Sequence, residues 1–272
     1  MGTFFNALER HKKDSDFKTE SLSGSDPQRL SLKEPDLSPV EEAISGHNFS
    51  PKLVVLSAPD SIDAEYFKIL RAQILFPKEG EKPRTIMVTS ALPGEGKTFV
   101  SANLAAGIAL GINEHVILVD SDIRRPNAHN MLGHSNTEGL NEYLTGKRKL
   151  ADLVIKTKVE KLSLLTAGGV CNNPSELLSS VGMKELLDRI KGDNQDRFVV
   201  VDAPPAEITA EAAVLANYVD AVILVIMAGR APREAIQKII ETLGQKKILG
   251  IVFNGYSQSN KHYNKYYKGY YK

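Results

Sequence analysis

The chain has 272 residues, 42% of them apolar and 25% charged, with 34 Lys and Arg against 33 Asp and Glu for a formal charge of +1. This composition supplies a full globular core and lacks the basic excess of a general nucleic-acid binder, so no specific nucleic acid is expected and electrostatic partners are left to local clusters. The longest unbroken apolar run, residues 221–228, is far short of the roughly 20 residues a membrane span needs, and the single Cys171 excludes an intrachain disulfide and reads as a small turn residue.

Residues 1–52 are polar, rich in Ser, Lys, Asp and Pro, and broken into short pieces, so a flexible segment is expected there. Two patterns stand out within it. Phe4, Phe5 and Leu8, followed by Glu9, Arg10, Lys12 and Lys13, make an amphipathic turn suited to a docking peptide, and Ser38-Pro39-Val40-Glu41 has the form of a capping box. The start carries no apolar h-region, and Asn6 stands where a myristoylation site wants Ser or Thr. A cytoplasmic location is the expectation.

From residue 53 short β-branched runs alternate with helical stretches, the pattern of βαβ units. Strands are predicted at 85–90, 115–120, 162–166, 198–202, 221–227 and 249–254, most of them apolar on both faces, as a covered parallel sheet requires. Helices are predicted at 62–76, stopped by Pro77; at 98–110, stopped by Gly111; at 182–190; and at 232–243, with Pro232 at its start and Gly244 past its end. No internal repeat of solenoid length occurs. From Tyr256 onward the pattern breaks: the last seventeen residues hold six of the nine tyrosines and four lysines but no acid. A solvated tail is expected, with 53–256 as the folded domain and 257–272 as a disordered Tyr-rich end.

The predicted strand 85–90 runs into Ala91-Leu92-Pro93-Gly94-Glu95-Gly96-Lys97-Thr98, and a helix follows. This is the phosphate loop G-x-x-x-x-G-K-[ST], with Ala91 in place of the first glycine. Gly94 and Gly96 let backbone N–H groups turn toward phosphate, and the helix start points its positive end at the same place. Lys97 would neutralise β/γ-phosphate charge while the Thr98 hydroxyl ligates Mg²⁺. Two neighbouring strands end in acids, Asp120 and Asp122 after one and Asp202 after the other. One such Asp alone could simply cap the next helix. Three on the sheet edge that carries a phosphate loop favour a metal, since ligands of open α/β sheets sit beyond the carboxyl ends of the strands. Their oxygens are hard, and neither Cys nor His clusters with them, so magnesium is the expected ion. Arg124 and Arg125 come next; they suit either stabilisation of a transferring phosphoryl group or pairing with acids nearby. The expected fold is α/β, a P-loop NTPase-type three-layer α/β/α arrangement with a mostly parallel central sheet.

From about Glu65 to its end, the chain resembles the bacterial tyrosine kinases of polysaccharide synthesis and export, the BY-kinases. Residues 91–98 look like the family's Walker A motif, 116–126 (Val-Ile-Leu-Val-Asp-Ser-Asp-Ile-Arg-Arg-Pro) its Walker A′, and 199–205 (Val-Val-Val-Asp-Ala-Pro-Pro) its Walker B. Asn173-Pro174-Ser175-Glu176-Leu177-Leu178 is similar to its NPxELL segment, and the tail to its autophosphorylated cluster. The resemblance implies ATP and Mg²⁺ as cofactors, bound by Pro93, Gly94, Glu95, Gly96, Lys97, Thr98 and Phe99, with Asn254 reading the adenine edge. It implies Thr98, Asp122 and Asp202 around the metal, and Lys97, Asp120, Asp122 and Arg124 as the catalytic set, Asp120 placed to accept the tyrosine proton. Tyr263, Tyr266, Tyr267, Tyr270 and Tyr271 would be phosphorylated in trans. It further implies control of polysaccharide chain length and export, a membrane-embedded co-polymerase as activator that recruits the chain to the inner face of the membrane, a phosphotyrosine phosphatase, and a ring-like homo-oligomer.

Two positions depart from the family pattern. Ala203 stands where the family usually has Thr, and in the subunit-contact motif ExxRxxR, which Glu65, Lys68 and Arg71 resemble, Lys68 replaces the first arginine. Lysine lacks the planar fork of arginine, so a weaker oligomer is expected. Two other functions compete with the kinase. Partitioning or Min-type ATPases share the Walker motifs but carry a second lysine where this chain has Leu92. A regulatory subunit that binds ATP without transferring phosphate would tolerate both departures. The tail has its own alternative, nonspecific attraction to anionic lipid or nucleic acid through Lys and Tyr.

Overall fold

The computed structural model describes residues 49–207 and 210–256. Three expected features, the two N-terminal patterns and the tyrosines beyond Tyr256, lie outside these residues. The described chain runs α1 (Val54–Ser57), α2 (Ile62–Leu75), β1 (Thr85–Ser90), α3 (Lys97–Ala109), β2 (His115–Asp120), α4 (Ala128–Leu132), α5 (Leu140–Leu144), β3 (Ile155–Lys156) and β4 (Leu162–Leu165). It continues with α6 (Pro174–Leu178), α7 (Val181–Lys191), β5 (Arg197–Asp202), α8 (Ala210–Tyr218), β6 (Ala221–Met227), α9 (Arg233–Leu243) and β7 (Ile248–Asn254).

The strands form one sheet in the order β3-β4-β2-β5-β1-β6-β7. Every neighbouring pair is parallel except β3 with β4. Strand β1 lies between β5 and β6, so the loop that follows it opens at the middle of the sheet's carboxyl edge. Asp120 and Asp202 are register partners on β2 and β5. Register alone therefore brings two of the sequence's three acids side by side.

Alternate residues of the strands feed two separate cores, as the two-residue period dictates. Met87, Val119, Val199, Val201 and Leu224 pack with residues of α7, α8 and α9 on one face. Ile86, Val88, Leu118, Phe198 and Val225 pack with α2, α3 and α4 on the other. Burying each such side chain contributes about 1.5–3 kcal/mol. Helix α3 is buried nearly all round, and a helix without a solvent face must be apolar or small throughout. Its Ala102, Ala105, Ala106, Gly107 and Ala109 meet that demand.

Helix α2 is capped by Ser61, whose hydroxyl accepts the Ala64 N–H at 3.1 Å. Ser180 caps α7 in the same way through Met183 N. The short helices α4, α5 and α6 have five residues each, too few for an apolar period to register in sequence. The two-residue β3 and the Ala-rich α8 escape prediction for the same lack of pattern.

Candidate functional site

The loop after β1 is built from the inside. Ala91 is fully buried and donates its N–H to Val225 O at 3.3 Å. Glu95 is also fully buried: its Oε2 accepts Leu92 N at 2.7 Å and its Oε1 accepts Met227 N at 3.1 Å. The Glu95 side chain thus fastens the loop to the end of β6, and only its backbone is left to meet a ligand. Gly94 and Gly96 adopt φ of 78° and 92°, a region that costs side-chain-bearing residues strain. A Cβ on Gly96 would overlap the Asn254 amide. Asn254, expected at an adenine edge, donates its Nδ2 to Glu95 O at 2.8 Å and so props the loop. The Phe99 ring lies edge-on against Phe67, with centroids 5.6 Å apart.

Helix α3 begins at Lys97 and aims three groups of its first turn and a half, Lys97, Thr98 and Ser101, at the acids. Lys97 Nζ is 2.7 Å from Asp122 Oδ2 and 3.5 Å from Asp202 Oδ1. The Thr98 hydroxyl donates to Asp202 Oδ2 at 2.6 Å. One turn on, Ser101 Oγ lies 3.1 Å from Asp202 Oδ1 and 2.8 Å from Lys97 O. Ser101 was not singled out from sequence, although its place four residues after Lys97 sets it on the same helix face.

Electrostatics follow from one ammonium facing three buried carboxylates. Burial alone would lower the Lys97 pKa, but Asp202 and Asp122 outweigh it and raise it. Burial raises Asp202, with Lys97 and Thr98 offsetting only part. Asp120 is pushed up to about 7 by burial first and by the Asp202 charge second. Asp120 and Asp202 are raised by burial first and by neighbouring carboxylate charge after it, and the carboxylates raise Lys97; a divalent cation would relieve this excess of buried negative charge. Among the described residues no three His, Cys, Asp or Glu side chains form a metal cage. Such a donor set, a hydroxyl and one or two carboxylates, is how Mg²⁺ is held when substrate phosphates complete its shell.

Asp120 is occupied with structure. Its Oδ2 accepts the N–H groups of Asn127 and Ala128 at 3.0 and 2.9 Å, and its Oδ1 accepts Asp122 N at 3.2 Å. The carboxylate therefore shapes the turn that presents Asp122 and Arg124, and at 0% exposure it does not reach the surface where a tyrosine would arrive. The helix-capping alternative describes its present contacts.

Arg124 takes the pairing alternative. Its Nε and Nη2 both lie on Glu211 Oε1, at 3.2 and 2.9 Å, and Ser175 Oγ donates to the same oxygen at 2.8 Å. Burial pushes Glu211 up, yet a hydrogen bond from its own backbone, those from Ser175 and Arg124, and the Arg124 charge bring it below its ordinary value. Glu211 was missed from sequence because nothing in α8 marks it apart from its neighbours. Arg125 is exposed.

The remaining expected residues lie elsewhere. On α2, Lys68 pairs with Glu65 at 3.1 Å, and Lys68 and Arg71 border a shallow depression with Val55, Ala64, Gly107 and Leu110. Ala203 is wholly buried within the core on the α7 to α9 face.

The family model described as "AAA domain" matches residues 83–248. Tyrosine-protein kinase YwqD of Bacillus subtilis (strain 168) is 34% identical over 212 residues, covering 77% of this chain and 88% of that protein. Tyrosine-protein kinase etk of Escherichia coli (strain K12) is 35% identical over 207 residues, 75% of this chain but 28% of that longer protein. The solved kinase domain of the Escherichia coli tyrosine kinase ETK superposes with a TM-score of 0.68 at 31% identity, over 77% of this chain and 83% of that one. The cell division ATPase MinD of Pyrococcus furiosus shares the fold, with a TM-score of 0.55 at 24% identity over 65% of this chain and 74% of that one. The match along three quarters of the chain, on top of a phosphate loop closed by acids from two neighbouring strands, shows that the chain is a P-loop protein of the bacterial tyrosine-protein kinase family.

Proposed function

We propose that this tyrosine kinase uses Mg·ATP to phosphorylate the tyrosines of its own C-terminal cluster, one copy acting on another, and thereby regulates the chain length and export of a polysaccharide. The observation that carries the reading is the convergence of Lys97, Thr98, Asp122 and Asp202 on one point beyond the carboxyl ends of β1, β2 and β5.

Bound Mg·ATP supplies the electrophilic phosphorus and the leaving group. The chain supplies position and charge, which dominate phosphoryl transfer. In this reading Lys97 turns from Asp122 to the phosphates, Thr98 and Asp122 face the metal, and Asp202 orients Thr98. For Asp120 to accept the proton of an incoming tyrosine, its Oδ2 must release the amides of Asn127 and Ala128. Arg124 would act on the phosphoryl group through the donors that Glu211 does not engage, or by leaving Glu211.

The partners belong to the same proposal. No helix among the described residues is long and apolar enough to cross a membrane, and recruitment by a membrane-embedded co-polymerase to the inner face of the membrane is consistent with the family. A phosphotyrosine phosphatase would reverse the modification. A ring-like oligomer would use the α2 surface around Glu65, Lys68 and Arg71. Incubation of the purified chain with γ-labelled ATP tests the reading: label on tyrosine supports it, release of free phosphate alone supports a Min-type ATPase, and nucleotide binding without either, even beside the membrane partner, supports a silent regulatory subunit.

A further inference from the structure

Arg230 sits on the phosphate loop. It lies in the connection between β6 and α9, is exposed, and donates its Nη1 to Gly94 O at 3.3 Å. The connection is tied to what lies beneath. Met227 N donates to the buried Glu95 carboxylate, Ala228 N donates to Asn254 O at 2.9 Å, and Arg230 N closes a tight turn onto Met227 O at 3.1 Å. Strand end, turn and phosphate loop therefore form one unit with the guanidinium over Gly94.

The charge of that guanidinium has no acid to meet. Among the described residues no carboxylate lies within ion-pair distance of Arg230, whereas Arg124 has Glu211. A guanidinium carries a fork of donors matched to phosphate oxygens, and a neutral carbonyl at 3.3 Å engages one of them without balancing the charge. In the reading above Lys97 leaves Asp122 for the phosphates at the inner end of the site, and Arg230, seated on Gly94 O, is a second cation placed at the loop.

We propose that Arg230 is a nucleotide-binding residue that donates to the terminal phosphate oxygens of bound ATP, in exchange for or in addition to Gly94 O. The inference rests on the Mg·ATP reading above. It assigns to the β6–α9 connection a role in telling a triphosphate from a diphosphate, because the terminal phosphate that Arg230 would reach is absent from the diphosphate.

The test is titration calorimetry on the full chain with MgADP and with the magnesium complex of a non-hydrolysable ATP analogue, comparing wild type, Arg230→Gln, Arg230→Lys and Arg233→Gln. Arg233 is exposed at the start of α9 and controls for loss of one positive charge in the neighbourhood. Arg230→Gln should weaken the analogue on the order of 10-fold, as losing a charge-assisted hydrogen bond does. It should weaken ADP by less than about threefold, and Arg230→Lys should recover part of the loss, since it keeps the charge but not the fork. Equal weakening of both nucleotides in Arg230→Gln, equal weakening by Arg233→Gln, or no change at all overturns the proposal while leaving the kinase reading intact. Failure of the wild type to bind either nucleotide overturns both.

Discussion

Lys97 Nζ stands 2.7 Å from Asp122 Oδ2, so the cation proposed to meet phosphate is held by the carboxylate proposed to face the metal. Under the proposed function, binding Mg·ATP would exchange that internal pair for two external ones, lysine with phosphate and aspartate with the metal's shell. Because both groups are nearly buried, the pair is not screened as a surface pair would be, and it competes with the ligand.

Asp122→Asn separates the two halves of that exchange. Transfer should fall by 100-fold or more, on the order of what losing one preorganised electrostatic contact costs. Nucleotide affinity measured without magnesium should stay level or rise, since Lys97 loses its strongest competitor. Equilibrium binding in EDTA beside initial rates with magnesium gives both quantities, and a parallel loss of the two contradicts the exchange.

Stability should depend on pH through Asp120. Its folded pKa of about 7 lies above the ordinary 3.8, so between roughly pH 4 and pH 7 the folded chain keeps a proton that the unfolded chain has released. Stability of the metal-free protein therefore falls as pH rises across that window and levels off above it. Urea midpoints measured from pH 5 to pH 8 show the slope, and Asp120→Asn should make it shallower, leaving the part that Asp202 contributes. Asp202, raised by burial as well, adds to the same fall, whereas Glu211 and Asp220, both held below their ordinary values, lose their contribution as pH falls through those lowered values.

Glu95→Gln probes the strut under the phosphate loop. Glu95 accepts from two backbone N–H groups, and an amide can offer acceptor oxygen to only one of them while turning its own donor toward the other. The expected cost is about 1–3 kcal/mol, seen as a drop of several degrees in Tm, together with weaker nucleotide binding. An unchanged Tm with unchanged affinity would mean that the loop holds its shape without the strut.

Much of this was legible in the residues, for identifiable reasons. Strands such as 85–90 and 221–227 are read in sequence at the bounds they keep in the fold, because an apolar run ended by a turn leaves little choice. Other ends move by a residue: the strand read at 198–202 starts at Arg197, and the one read at 162–166 stops at Leu165. The acids at strand ends are legible because the pattern of hydrophobic run then Asp recurs twice. What a side chain does at the site is less so. Asp120, Asp122 and Asp202 look alike in sequence, yet one is engaged by backbone amides, one by Lys97 and one by two hydroxyls, differences set by which loop lies across each carboxylate. Glu211 and Arg230 gain meaning only from segments far away in sequence, Arg124 in one case and Gly94 in the other. No local motif encodes such pairings.

The claim at the centre is that one magnesium-bound triphosphate, gripped by Lys97, delivers phosphate to the tail. Mass spectrometry of the peptide carrying Tyr263, Tyr266, Tyr267, Tyr270 and Tyr271 tests it most directly, on wild type and Lys97→Ala expressed alone and with a candidate membrane activator in a host lacking other tyrosine kinases. The account predicts phosphotyrosine in the wild-type tail, raised by the activator, and none in Lys97→Ala. Phosphotyrosine persisting in the variant, or absent from the wild type under both conditions, would contradict it.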